Sequence, residues 1–147
     1  MLSNTCKYAI RAVIYLAVND DEGKKIGIKQ ISKELDIPTP FLGKILQSLA
    51  KQKLLKSTKG PHGGFGLGRK PGEITLYDIV SIIDGEDVFT NCLIGLKSCK
   101  SNHSEGKACP VHDQYHDIRK QMKDFFVNES IEKIITNMKE KGDYIKL

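Results

Sequence analysis

No run in this chain approaches 18 consecutive apolar residues, so it offers no helix able to cross a bilayer. Residues 1–8 lack the basic start, apolar stretch and small-residue cleavage site of a secretory signal. Together these absences lead to the expectation of a cytoplasmic protein in a reducing compartment, with no membrane partner. Enzyme signatures are missing too. No serine, histidine and acid fall into a recognised arrangement, and neither a Walker loop nor a dinucleotide fingerprint is present. Gly60-Pro61-His62-Gly63-Gly64 lacks the lysine and following helix that a phosphate loop needs. The chain is therefore expected not to be an enzyme. There is no internal repeat and no low-complexity tract. Hydrophobic residues make up 39% of the 147, slightly few for an ordinary domain. That suits one small core with much open surface, or a subunit whose apolar helix faces are covered by a partner.

What is present begins with charge. The formal net charge is +5, and the positive residues gather in 44–70 and 97–107. A surplus this modest favours nucleic acid only if its location supports the reading. Apolar spacing predicts a first helix over 4–19, buried on more than one side. Asn19-Asp20-Asp21-Glu22-Gly23 reads as a turn. Ile28, Ile31 and Leu35 form the stripe of a short second helix, stopped by Asp36-Ile37-Pro38. Thr39 reads as an N-cap with Pro40 at the first helical position, opening a third helix to about Lys53. In that helix Phe41, Leu42, Ile45, Leu46 and Leu49 face inward. Leu54–Thr58 and Phe65–Leu67 read as two strands around a tip at Lys59–Gly64. A hairpin directly after a helix-turn-helix is a winged helix.

The expected fold is thus mainly α with a small β-hairpin: a winged helix-turn-helix plus a long C-terminal dimerisation helix. Residues 1–85 would be the DNA-binding domain, 86–109 a cysteine-rich loop and 110–141 the dimerisation helix. Thr75 is the expected N-cap of a fourth helix, with Asp78 at its third position. Pro110 would open one helix to about Lys141, too long to bury its apolar stripe on so small a domain and so expected to pair with a copy of itself. Thr39, Pro40, Phe41 and Lys44 would lie toward a DNA groove or backbone. Phe41 has two readings, a cover for a thymine methyl or a core residue. Gln47, Lys51 and Lys56 suit phosphate or base contacts. Lys59, His62 and Gly63 belong to the wing tip, near a minor groove. The expected partner is double-stranded DNA with a partly palindromic operator, bound by a homodimer.

The remaining chemistry lies in Cys92, Cys99, Cys109 and His112, spaced C-x6-C-x9-C-x2-H. Three thiolates suit Zn²⁺, Cu(I) or an iron–sulfur cluster far better than Mg²⁺ or Ca²⁺. This spacing matches no common zinc-finger or ferredoxin pattern, so it leaves the metal open. The loop between them has few large apolar groups, a lack that a bound metal would remedy. Cys109 precedes a predicted helix, whose N–H groups and dipole would stabilise a thiolate. His112 follows it by about one turn. His103 ranks behind His112 and behind a non-histidine or partner-chain ligand as the fourth donor. Cys6 has two readings, a small core residue or a ligand reaching the site from the first helix of the partner subunit, and the core reading is preferred.

The order of these parts resembles the Rrf2 family of bacterial winged-helix regulators. The matching residues are Tyr8-Ala9, Ile31-Ser32, Ile37-Pro38 with Phe41-Leu42, Leu46, and the wing run Lys59-Gly60-Pro61-His62-Gly63-Gly64-Phe65 with Leu67. Tyr77-Asp78-Ile79-Val80 and Ile83-Asp84-Gly85 continue the match. The resemblance implies a homodimeric transcription regulator with recognition helices in successive major grooves. One branch holds the iron–sulfur assembly regulator and the nitric-oxide-sensing repressor, and it binds a cluster on three cysteines. By that resemblance Cys92, Cys99 and Cys109 are the ligands and His112 the fourth, with [2Fe–2S] favoured over [4Fe–4S]. The loop intervals here, six and nine residues, depart from the usual five. A zinc site on the same Cys₃His set, or a thiol switch without a cluster, is the alternative.

Overall fold

The computed structural model describes residues 2–21, 23–95 and 110–141. Helix α1 (Asn4–Val18) runs through the middle of the fold. Ser3 caps it, accepting from the Cys6 N–H at 3.0 Å and itself held by Asp84 at the end of a later helix. Its Ala9, Ala12, Val13 and Leu16 are almost fully buried. Small and branched residues on several sides let neighbours pack close all round, as the broad apolar arc predicts.

Helices α2 (Ile28–Leu35) and α3 (Thr39–Lys51) form the helix-turn-helix. The turn is locked by a short polar chain. Thr39 Oγ1 donates to Ser32 Oγ at 2.9 Å, and Ser32 Oγ donates to the Ile37 carbonyl at 2.6 Å. Between them Ile37 drops into the core at 2% exposure. Asp36 closes α2 in the left-handed region at φ 52°. One expectation is corrected here. The carbonyl of Pro38, not Thr39, accepts the first helical bonds, from Phe41 and Leu42 at 3.1 and 2.9 Å. Thr39 is already inside the helix, and its hydroxyl bonds back to Ser32.

The wing is the antiparallel pair β1 (Leu55–Thr58) and β2 (Gly64–Leu67), with Leu55 opposite Leu67 and Thr58 opposite Gly64. A third member carries no mark in the local sequence pattern. Ile26 exchanges both backbone bonds with Phe65, each at 2.9 Å, and so extends the hairpin on its outer edge. A Cβ at Gly64 would lie 2.4 Å from the Ile26 carbonyl oxygen, so only glycine permits this approach. At the tip, Gly60 takes φ 107°, a conformation costly for any other residue.

A 3₁₀ turn (Pro71–Glu73) leads to α4 (Leu76–Ile83). The expected cap of α4 is found. Thr75 Oγ1 accepts from the Asp78 N–H at 3.2 Å, and Asp78 accepts from the Thr75 N–H at 2.9 Å. A short helix α5 (Asp87–Thr90) then buries Phe89 against Cys6 and Val80.

The expected fold class is the one found, mainly helical with a small hairpin. Its C-terminal part differs from expectation in being two helices, α6 (His112–Asn128) and α7 (Ile131–Lys141), rather than one. Leu76 N–H donates to the Glu129 carbonyl and Ile131 N–H to the Ile74 carbonyl, both at 2.9 Å. This small bridge diverts the backbone. α7 then folds back onto α1 and the 3₁₀ turn, burying Ile131 completely and packing Ile134, Ile135 and Met138 on the main core. The domain is therefore large enough to take this half of the apolar stripe. Ser130, whose hydroxyl accepts from the Lys133 N–H at 3.3 Å, is a helix N-cap signal visible in the sequence. Along α6, Met122 and Phe126 pack toward Cys6, Val80 and Phe89, while Ile118 and Phe125 remain 62% and 56% exposed.

Candidate nucleic-acid interface and cysteine loop

The outward stripe of α3 follows from helical geometry. At 100° per residue Pro40, Lys44, Gln47 and Lys51 fall within about 60° of one another. Leu42, Ile45, Leu46 and Leu49, all buried, lie opposite. All four outward residues are exposed. Lys56 points out from β1, and Lys59 and His62 are exposed at the wing tip. Thr39 is half-buried and bonded to Ser32. Gly63 is half-buried, and a Cβ there would fall 2.2 Å from the Thr58 carbonyl oxygen. Its first requirement is therefore the hairpin itself. Phe41, expected to face inward in the helix pattern, is 37% exposed on the flank between the two faces.

Electrostatics favour the same side. From residue 37 to residue 72 there are seven lysines and arginines and no aspartate or glutamate. Arg69 is partly engaged, donating to the Gln52 carbonyl at 3.3 Å. Lys25, which the sequence reading passed over, reaches the wing, where its ammonium donates to Thr58 Oγ1. Only the Ile26–Phe65 pairing brings it there. Such a surface attracts a polyanion and offers a helix N-terminus, a lysine row and a hairpin tip as contacts.

Residues 86–95 of the cysteine loop are described, and the described chain resumes at Pro110. Cys92 is half-buried just after α5, and His112 is half-buried at the start of α6, its ring 5.7 Å from that of His116. Cys99, His103 and Cys109 lie outside the described residues. Among the described residues no group of three metal-ligating side chains comes together. The thiol- and imidazole-rich donor set, taken along the chain, fits a soft or borderline metal. A residue not singled out from the sequence holds the loop's first end. Arg119 on α6, 9% exposed, donates through Nη1 to the carbonyls of Thr90 and Asn91 at 3.2 and 3.0 Å. Its guanidinium also lies 5.6 Å from the Tyr115 ring centre. The residue preceding Cys92 is thus tied to the helix that His112 opens. Cys6 is fully buried, as expected for a core residue. Burial, with a smaller contribution from the negative charge of Asp84, pushes its thiol up to about 12.

A helix-turn-helix followed by a basic hairpin defines a winged-helix DNA-binding protein. The Rrf2 family pattern, described as an iron-dependent transcriptional regulator, matches residues 2–137, and this chain belongs to that family. It is a DNA-binding transcription regulator of the Rrf2 type, not an enzyme. An HTH-type transcriptional regulator of Aquifex aeolicus is 34% identical over 141 residues, covering 96% of this chain and 94% of the relative. The HTH-type transcriptional regulator IscR of Pectobacterium atrosepticum is 28% identical over 136 residues, covering 92% and 79%. Among solved structures, the fold is similar to CymR, the global cysteine regulator of B. subtilis, with TM-score 0.76 at 21% identity, covering 93% of this chain and 97% of that one. It is also similar to T. potens IscR, with TM-score 0.74 at 22% identity, covering 97% and 91%. No helix among the described residues is long and apolar enough to cross a membrane.

Proposed function

We propose that the chain is a cytoplasmic homodimeric regulator whose DNA binding responds to an iron–sulfur cluster held by Cys92, Cys99 and Cys109, with His112 as the fourth ligand. The donor set carries this reading: three cysteines and a histidine within 21 residues of a regulator otherwise built to bind DNA. The iron-dependent description of the family and the similarity to IscR proteins support it. The likeness to CymR, at 21% identity, speaks to the fold alone. A [2Fe–2S] cluster is favoured, with [4Fe–4S] as the alternative. Bound there, a cluster supplies a centre sensitive to oxidant, iron supply and nitric oxide. The protein's own part is mechanical. Arg119 ties the residues just before Cys92 to α6, so a displacement of Cys92 would reach that helix. In turn α6 is joined at its far end to Ile74 and Leu76, just beyond the wing.

Residues 1–85 would read DNA and 86–109 hold the cluster, while α6 pairs with a second copy. Ile118 and Phe125, seven residues apart and both more than half exposed, suit that pairing. A two-fold dimer would read a partly palindromic operator through Thr39, Pro40, Phe41, Lys44, Gln47 and Lys51, with Lys56, Lys59, His62 and Gly63 on the wing. Anaerobically purified protein should be brown, with iron and acid-labile sulfide in near-equal amounts. Colourless protein lacking both after reconstitution would reject the cluster. Zinc without sulfide would instead support a Zn(Cys)₃His site on the same residues. Replacing His112 by alanine should shift the visible spectrum and the reduction potential, and no change in either would remove it from the ligand set.

A further inference from the structure

Phe41 is an anomaly in this surface. It sits in the first turn of α3, at the boundary between the buried face and the Pro40–Lys44–Gln47–Lys51 stripe, and is 37% exposed. It lies within the stretch of chain, residues 37–72, whose charged residues are all positive. A large apolar ring left open there gains nothing from solvent. Nor is it loose. Tyr8, half-buried on α1 and packed on the main core, meets it edge to face, with ring centres 5.8 Å apart and planes at 88°. That is a favourable aromatic geometry, and it limits where the Phe41 ring can go. The Tyr8–Phe41 pair thus joins α1 to the first turn of α3.

The geometry points to Phe41 as a specificity-determining residue that packs on the 5-methyl group of a thymine in the major groove, with Tyr8 as its positioning residue. This rests on the DNA-binding reading of α3. The N-terminal turn of a recognition helix is the part that meets base edges. The thymine methyl is the apolar feature that a base pair presents in that groove, and phenylalanine is suited to cover it. Lys44, one turn on, would hold a nearby phosphate while Phe41 reads the base.

The test uses the full-length protein and a duplex obtained by selection from a random pool. Each thymine in the selected site is replaced in turn by deoxyuridine, which removes only the methyl. For the wild type, one thymine in each half-site should show a loss of affinity of about three- to fivefold, the order expected for one buried methyl. Phe41→Ala should bind that site with equal affinity whether it carries thymine or deoxyuridine. Tyr8→Phe keeps the ring and should keep the preference, while Tyr8→Leu should reduce it. The quantity read is a ratio within each variant, so partial loss of folded protein cancels. The proposal is overturned if no deoxyuridine weakens wild-type binding, or if Phe41→Ala or the polar Phe41→Ser retains the full preference. Full preference in Tyr8→Leu would overturn the role of Tyr8 alone. Failure to select any duplex would instead sink the DNA-binding reading beneath it.

Discussion

Replacing Arg119 by methionine keeps most of the stem's volume and removes two charge-assisted hydrogen bonds. The acceptors are the carbonyls of Thr90 and Asn91, at 3.2 and 3.0 Å from Nη1. A hydrogen bond to a charged group contributes about 1.5–3 kcal/mol. The two do not count equally. Asn91 is exposed, so water replaces the lost donor, whereas Thr90 is half-buried and its acceptor is harder to satisfy. The expected loss is therefore closer to one such bond than to two, about 1.5–3 kcal/mol. For a chain of this size that lowers the melting temperature by about 3–12 °C. Arg119→Lys keeps the charge with a single point donor and should fall between wild type and Arg119→Met. The assay is thermal unfolding of metal-free protein by circular dichroism, with hydrogen exchange of residues 87–95 measured alongside. Exchange in that segment should rise more than in α2 or α3, because the tie is local. A melting temperature within about 1 °C of wild type, with unchanged exchange before Cys92, would show that Arg119 does not hold the loop to α6.

Cys6 gives a pH test. Its folded thiol value, about 12, lies above the ordinary 9.0, so between these pH values the unfolded chain releases a proton that the native one keeps. Stability from this group is fully present below pH 9.0 and is lost as pH rises toward 12. Urea unfolding of wild type should therefore weaken more steeply than that of Cys6→Ala across this window, and parallel curves would refute the assignment. Gly64→Ala should cost about 1–3 kcal/mol and raise amide exchange at Ile26 and Phe65; unchanged exchange there would show that the third strand contact does not depend on the glycine. If Lys44, Lys51 and Lys56 each touch phosphate, each alanine variant should lower the slope of log affinity against log salt by about 0.9. Equal slopes for all three and the wild type would place the DNA elsewhere.

Local order in this protein was written in short-range patterns. The α2 stripe of Ile28, Ile31 and Leu35, the Asp36-Ile37-Pro38 stop, the Thr75–Asp78 cap and the wing turn all depend on residues within a few positions of one another. Periodicity and capping chemistry therefore located them, and the regular α3 pattern also placed Lys44, Gln47 and Lys51 on its outer face. The cysteine-histidine set could be read as soft-metal chemistry because ligand type is a property of composition. What depended on contacts between distant residues was hidden. Ile26 pairs with Phe65, and Ile74 and Leu76 bond the α6–α7 joint, across separations that no periodicity encodes. That second pairing turned one expected helix into two and put Ile131 in the core. Tyr8 on Phe41 and Arg119 on Thr90 and Asn91 belong to the same kind. Their partners are chosen by how the helices pack, and a ring or a guanidinium on a half-polar helix carries no mark in the chain of which partner it will meet.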